Sequence, residues 1–152
     1  MDNKASIIHY CNFQERCHFE VKNKLYELGC KTQEVNELIA YLIEQNLLNE
    51  ERYARSIARG KFRMKQWGRN KIIQQLKLHH VSDYCIRKAM TEIDEEEYEN
   101  TLLKTAEKKW QELRTERNSR IKQAKLFRFL LQRGFETSII NTAINNLIGQ
   151  TK

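Results

Sequence analysis

Three groups of side chains in this 152-residue chain could do chemistry: a basic run of one sign, a scatter of cysteines and histidines, and one dense carboxylate cluster. The basic run is the most unusual. From Arg52 to Lys71 there are eight cations (Arg52, Arg55, Arg59, Lys61, Arg63, Lys65, Arg69 and Lys71) and no Asp or Glu. A solvated helix face normally mixes signs, because Glu and Lys one turn apart support each other. A run of one sign forgoes that support. It reads as a surface for an anionic partner, either a phosphate backbone or an acidic protein patch. A basic face with no dedicated ligand is the plainer alternative. Formal charge is −2 over residues 1–48, +7 over 49–93 and +2 over 94–152, so the middle third carries an excess equal to the whole net charge of +7.

The other two groups point to structure. Cysteines stand at 11, 17, 30 and 85 and histidines at 9, 18, 79 and 80. No Cys-x-x-Cys pair occurs, so neither a zinc ribbon nor a thioredoxin-like site is spelled out. His79 and His80 are sequence neighbours that diverge by about 100° on a helix and do not face one ligand together. The expectation is four buried thiols, no disulfide, no metal and no cofactor. Asp94-Glu95-Glu96-Glu97 is the dense carboxylate cluster; acids opening a helix are favoured there by its dipole, and capping is the expected role. There is no phosphate-cradling glycine loop, Gly-x-Ser-x-Gly or His-Glu-x-x-His, and no enzyme is expected.

The elements that hold these residues must be helical. The chain has no proline and only five glycines, too little turn chemistry for a sandwich or barrel of short strands. No run approaches the roughly 18 consecutive apolar residues of a membrane span. The opening MDNKASIIHYCNF is not a secretory signal, and a cytoplasmic location is expected.

A repeat underlies the helices. Leu25 to Gly29 and Cys30, Leu76 to His80 and Val81, and Leu130 to Gly134 and Phe135 share one spacing, each followed five residues on by Val35, Ile86 or Ile140. This reads as helix, tight turn, helix, with a left-handed residue closing the first helix. Thr32, Asp83 and Thr137 sit where an N-cap of the second helix is expected. After the cap, Val35, Leu38, Ile39, Leu42 and Ile43 form one apolar stripe. Ile86, Ala89, Met90 and Ile93 repeat it, as do Ile140, Ala143, Ile144, Leu147 and Ile148. Before the turn, Val21/Leu25, Ile72/Leu76 and Leu126/Leu130 keep an i, i+4 spacing.

A third helical segment precedes each pair, over about 5–15, 50–64 and 97–117. The expected fold is therefore all-α, with three tandem three-helix repeats over 1–48, 49–93 (the basic one) and 94–152. So small a unit buries too little surface alone, so the repeats are expected to stack into an elongated, curved array. Trp67 and Trp110 read more simply as core anchors than as stacking contacts. Arg128 and Arg133 flank an apolar helix and either extend the basic strip or neutralise that helix's C-terminal dipole.

These residues resemble the RecX family, regulators of the RecA recombinase. The second repeat carries the likeness in Arg52-Tyr53-Ala54-Arg55 and in Trp67-Gly68 leading into Lys71-Ile72-Ile73-Gln74-Gln75-Leu76. The third carries it in Lys108-Lys109-Trp110 and in Lys125-Leu126-Phe127-Arg128-Phe129-Leu130-Leu131-Gln132-Arg133-Gly134-Phe135. The first, Cys17-His18-Phe19-Glu20 into Lys24-Leu25, is similar more loosely. Cys17 replaces a usual serine, Arg69 a common proline, and His80 a common turn glycine. A non-glycine left-handed residue costs energy unless a side chain compensates, so the turn at His80 is where a departure in geometry is to be looked for.

The resemblance implies binding to RecA–DNA filaments, in the groove or at the ends, and inhibition of strand exchange, ATP hydrolysis and co-protease activity. It implies a monomer that binds single- or double-stranded DNA only weakly and without sequence preference, with no membrane partner. The candidate contacts are the eight cations of 52–71 with Arg128 and Arg133. A stand-alone DNA reader of helix-turn-helix type is the rival reading, since its scaffold is also three helices. A helical adaptor for acidic proteins is a third.

Overall fold

The computed structural model describes residues 2–150. Met1, at the start of the expected first repeat, and Thr151 and Lys152, at the end of the third, lie outside the described residues. Among the described residues the chain is nine helices and no strand: α1 (Asn3–Phe13), α2 (His18–Glu27), α3 (Thr32–Glu44), α4 (Glu50–Lys65), α5 (Arg69–Leu78), α6 (Asp83–Met90), α7 (Glu95–Glu112), α8 (Ser119–Gln132) and α9 (Thr137–Gln150). Among those residues no helix is long and apolar enough to cross a membrane. The helices fall in three triplets, as the repeat spacing requires. The chain forms two compact units, one running through Ile57 and including Gln75–Met90, the other made of Ala58–Gln74 and the chain from Thr91 onward.

The helix starts follow local hydrogen bonding. Asp2, Asn49, Ser82, Asp94 and Asn118 each accept a first-turn amide with a side-chain oxygen, which satisfies one orphan donor. The expected caps Thr32, Asp83 and Thr137 prove to be the first helical residues instead. The cap position falls one residue earlier, and at α6 Ser82 Oγ takes the Cys85 amide at 3.2 Å. The acidic run behaves as a cap: Asp94 accepts from the Glu97 amide at 3.0 Å.

The three turns share one geometry. Gly29, His80 and Gly134 have φ of 94°, 59° and 98°. The amides of Cys30, Val81 and Phe135 reach back to the carbonyls of Leu25, Leu76 and Leu130 at 3.1, 3.0 and 3.2 Å. His80 therefore keeps the left-handed turn despite its Cβ, and its ring packs on Phe19 with centroids 4.4 Å apart, a contact that offsets part of the backbone cost.

In the first unit, Ile7, Val21, Leu25, Val35 and Leu42 are fully buried; α1 packs on α2, and α2 on α3. Ile43, expected on the stripe, is instead exposed near the end of α3, while Val35 and Leu42 are fully buried. In the second unit α7, α8 and α9 pack on one another around Leu102, Ala106, Leu126, Leu130, Phe135 and Ile140. All six residues of the i, i+4 pairs are fully buried. The four cysteines are free and buried. Burial pushes the Cys11 thiol up to about 11 and the Cys17 thiol to about 12, so both are protonated at neutral pH when no metal is bound.

Two glycines of the second unit bring backbones together. The Gly68 amide donates to the Arg133 carbonyl at 2.7 Å and the Asn70 amide to the Gly134 carbonyl at 2.9 Å. A Cβ on Gly68 would lie 2.3 Å from the Gly134 carbonyl carbon, and one on Gly134 would lie 2.4 Å from Lys71 Cβ. Gly60, inside α4, has nothing within 4 Å of such an atom. In urea unfolding, Gly68→Ala is expected to cost about 1–3 kcal/mol through forced backbone displacement. Gly60→Ala is expected to stabilise by roughly 0.5–1 kcal/mol, because alanine loses less backbone freedom in a helix.

Candidate functional site

The cations of 52–71 are held by different partners. In the first unit, Arg52 pairs with Glu15 at 2.7 Å and donates to the carbonyl of Asn46 at 3.0 Å. Arg55 pairs with Glu51 at 3.4 Å. In the second unit, Arg59 pairs with Glu92 at 3.0 Å. Lys61 and Lys71 place their ammonium groups 4.9 and 4.4 Å from the Trp67 ring centroid. Trp67 is half-buried, so it is neither a full core anchor nor an open stacking platform. Trp110 is buried, with Lys122 3.8 Å from its ring centroid. Arg63, Lys65 and Arg128 are exposed.

Arg69 is a positioning residue of the second unit. Its guanidinium bonds Glu136 at 3.0 Å and Glu95, and lies 3.9 Å from the Tyr98 ring centroid. The Tyr98 hydroxyl accepts from the Arg69 amide at 2.9 Å and donates to Glu136. Burial opposes the charge on Arg69, but the bond to Glu136 and the charges around it outweigh that and hold its pKa above the ordinary value. Burial, followed by the bond to Glu136, raises the Tyr98 phenol. Tyr98 is 1% exposed, a core residue that the sequence reading did not single out. It stands alone within an acidic stretch.

Arg133 reaches the end of another helix. Its Nη1 donates to the Lys65 carbonyl at 2.7 Å, so it neutralises the C-terminus of α4 and not that of its own helix. Its guanidinium also lies 5.1 Å from the Phe129 ring centroid. Around it opens a groove of about 430 Å³ lined by Gln66, Lys104, Lys108, Lys109, Phe129 and Arg133, with Thr105 and Glu112. An adjoining groove of about 360 Å³ adds Arg63, Asn100 and Thr101. Lys104 and Lys108 are exposed one turn apart on α7. Lys109 is partly offset by Glu112 at 3.7 Å. Four cations converging on a half-buried ring form a surface suited to phosphates or carboxylates. The three lysines were missed because the net charge of 94–152 hides them among acids; their own spacing was the available signal.

A separate polar cluster lies in the first unit. Cys17 Sγ is 3.4 Å from Glu20 Oε1 and 3.8 Å from His79 Nδ1, and the Tyr53 hydroxyl is 2.9 Å from the same nitrogen. The cysteine, carboxylate and imidazole donors all lie within 4.8 Å of one another. Burial, then the charges of Glu20 and Cys17, raise the Tyr53 phenol. His80 does not share this cluster: it lies in the left-handed turn after α5, and its ring packs on Phe19.

Tandem three-helix repeats define the class of this chain: an all-helical repeat protein. The family description "RecX, second three-helix domain" matches residues 49–90, and "RecX, third three-helix domain" matches 95–144. "Regulatory protein RecX" of Clostridium perfringens strain 13 is 36% identical over 129 residues, covering 84% of this chain and 60% of that protein. That of Lactococcus lactis subsp. cremoris strain SK11 is 27% identical, covering 95% and 54%. The crystal structure of RecX from Lactobacillus salivarius superposes with a TM-score of 0.85 at 27% identity, covering 95% of this chain and 94% of that one. The chain belongs to the RecX family of regulatory proteins. It spans about 60% or less of the length of these curated relatives.

The Tyr98 network yields a direct test of what holds the basic face. Tyr98→Phe removes one hydroxyl that satisfies both the Arg69 amide and Glu136. It is expected to cost about 2 kcal/mol, read as a lower urea midpoint at unchanged slope, because the Arg69 amide is left without a partner and Glu136 keeps only its pairing with the Arg69 guanidinium.

Proposed function

We propose that this chain regulates the RecA recombinase by binding RecA–DNA filaments and inhibiting strand exchange, ATP hydrolysis and co-protease activity. It acts as a non-catalytic, cytoplasmic monomer that tunes homologous recombination, DNA repair and the SOS response. The repeat boundaries 1–48, 49–93 and 94–152 belong to the same proposal. The observation that carries it is the cationic groove of the second unit, where Arg63, Lys104, Lys108 and Arg133 flank Gln66 and Phe129. Family membership supports the choice of RecA as the partner.

The cations divide by role. Arg63, Lys65, Arg128 and the ammonium groups of Lys61 and Lys71 make the anionic contact, joined by Lys104, Lys108 and Arg133. Arg52, Arg55, Arg59 and Arg69 already face carboxylates; they add field strength more than direct contact. Each exposed contact contributes little alone, but several together give steep salt dependence. Binding across neighbouring RecA subunits would resist the movements tied to nucleotide turnover, and binding a filament end would block the next subunit. Both act by selecting one conformation of the partner. Binding to DNA alone is weak and unspecific.

The test is a titration of the protein into RecA–single-stranded DNA filaments while ATP hydrolysis is followed. Turnover is expected to fall: at substoichiometric amounts for end capping, near stoichiometric amounts for groove coating. Combined charge reversal at Arg63, Lys104 and Lys108, which stand clear of the Tyr98 network, is expected to weaken inhibition by about tenfold or more, as loss of several phosphate contacts does. An unchanged inhibition curve would reject this face. Tight, sequence-selective binding to duplex without RecA would reject the filament reading in favour of a stand-alone DNA reader.

A further inference from the structure

We infer that Cys17, Glu20 and His79 form a binding site for a single Zn²⁺ ion within the first unit. The donors come from two places. Cys17 is the N-cap of α2 and Glu20 lies three residues on, so one turn presents a thiol and a carboxylate side by side. His79 follows the last residue of α5 and brings Nδ1 to within 3.8 Å of the sulfur. Zinc bonds of about 2.3 Å to sulfur and about 2.0–2.2 Å to nitrogen and oxygen place tetrahedral donors roughly 3.3–3.6 Å apart. The sulfur already stands 3.4 Å from the carboxylate oxygen. With all three donors inside 4.8 Å of one another, side-chain rotation of about an ångström closes the set.

The surroundings are organised for such an ion. The His79 ring is flanked by Tyr53, stacked at 6.3 Å, and by Phe19 at 6.2 Å, which limits its rotamers. The Tyr53 hydroxyl is hydrogen-bonded to Nδ1 at 2.9 Å, so zinc would replace that bond at the nitrogen. Glu20 Oε1 accepts the Cys17 amide at 3.1 Å, and a carboxylate oxygen has a second lone pair for the metal. Arg16 pairs with the other oxygen at 3.8 Å.

The chemistry selects the ion. One sulfur, one nitrogen and one oxygen donor suit a borderline-soft divalent cation and not Mg²⁺ or Ca²⁺, which require oxygen sets. On binding, the thiol proton passes to solvent. Thiolate and carboxylate then balance the two positive charges of the ion. The ion would tie the start of α2 to the end of α5 and make the stability of the first unit depend on zinc. The sequence hid the site because Cys17 and His79 stand 62 residues apart.

The experiment is a titration of the full chain with Co²⁺ under a non-thiol reductant, followed by absorption, then by added Zn²⁺. One equivalent of Co²⁺ is expected to give a thiolate-to-cobalt charge-transfer band that one equivalent of Zn²⁺ erases. Cys17→Ser is expected to remove the band while far-UV circular dichroism stays native, since serine is a favoured N-cap. His79→Gln is expected to weaken binding by about tenfold or more, as loss of a ligand exceeds the effect of losing its support. Cys11→Ser and Cys30→Ser, in the same unit, are expected to keep the band. A folded wild-type chain with no thiolate band at one equivalent would overturn the site, and so would a band that survives Cys17→Ser.

Discussion

The second unit depends on one junction in which the start of one helix is bonded to the end of another. The amides of Gly68 and Asn70, at the N-terminus of α5, donate to the carbonyls of Arg133 and Gly134, at the C-terminus of α8. Those are the groups that an isolated helix leaves unsatisfied, and the positive end of one dipole meets the negative end of the other. Glycine is required on both sides, because a side chain at either position would overlap backbone or Lys71 Cβ. The bonds are possible only because nothing projects between the two backbones.

The network around Arg69 and Tyr98 secures this junction. Tyr98 reaches the first amide of α5 with its hydroxyl, Glu136 holds both Tyr98 and Arg69, and Phe62 and Phe135 pack against the Tyr98 ring at 5.8 and 5.5 Å. From the same turn, Arg133 reaches the last carbonyl of α4. Three helix ends are thus fixed beside α7, and the cations that follow from their sequence are brought to one groove. The positive field therefore comes from Arg133 and from lysines one turn apart, all carried on rigid helices. Ordering long side chains there loses less entropy than it would on a loose loop.

Much of the fold was legible in the sequence because helical cores repeat. The pairs Val21/Leu25, Ile72/Leu76 and Leu126/Leu130 were read from spacing alone and are all fully buried. The turn at His80 followed from its place in the repeat, not from its residue type. The caps lie one residue before Thr32, Asp83 and Thr137: at α6 Ser82 takes the Cys85 amide, whereas Lys31 opens α3 with no side-chain cap bond. The site was less legible. The basic run of 52–71 was visible as a charge imbalance, yet its arginines at 52, 55, 59 and 69 face carboxylates that only folding brings near or aligns. Lys104 and Lys108 gained their meaning from Arg133, and Gly68 from Gly134. No linear window contains both members of such pairs.

Amide hydrogen exchange at Gly68 and Asn70 tests most directly that the backbone junction organises the basic groove. Both amides should be protected as strongly as those of Leu126 and Leu130 in the core, opening only when the second unit unfolds. Exchange at the rate of an open loop, with the core amides still protected, would contradict it.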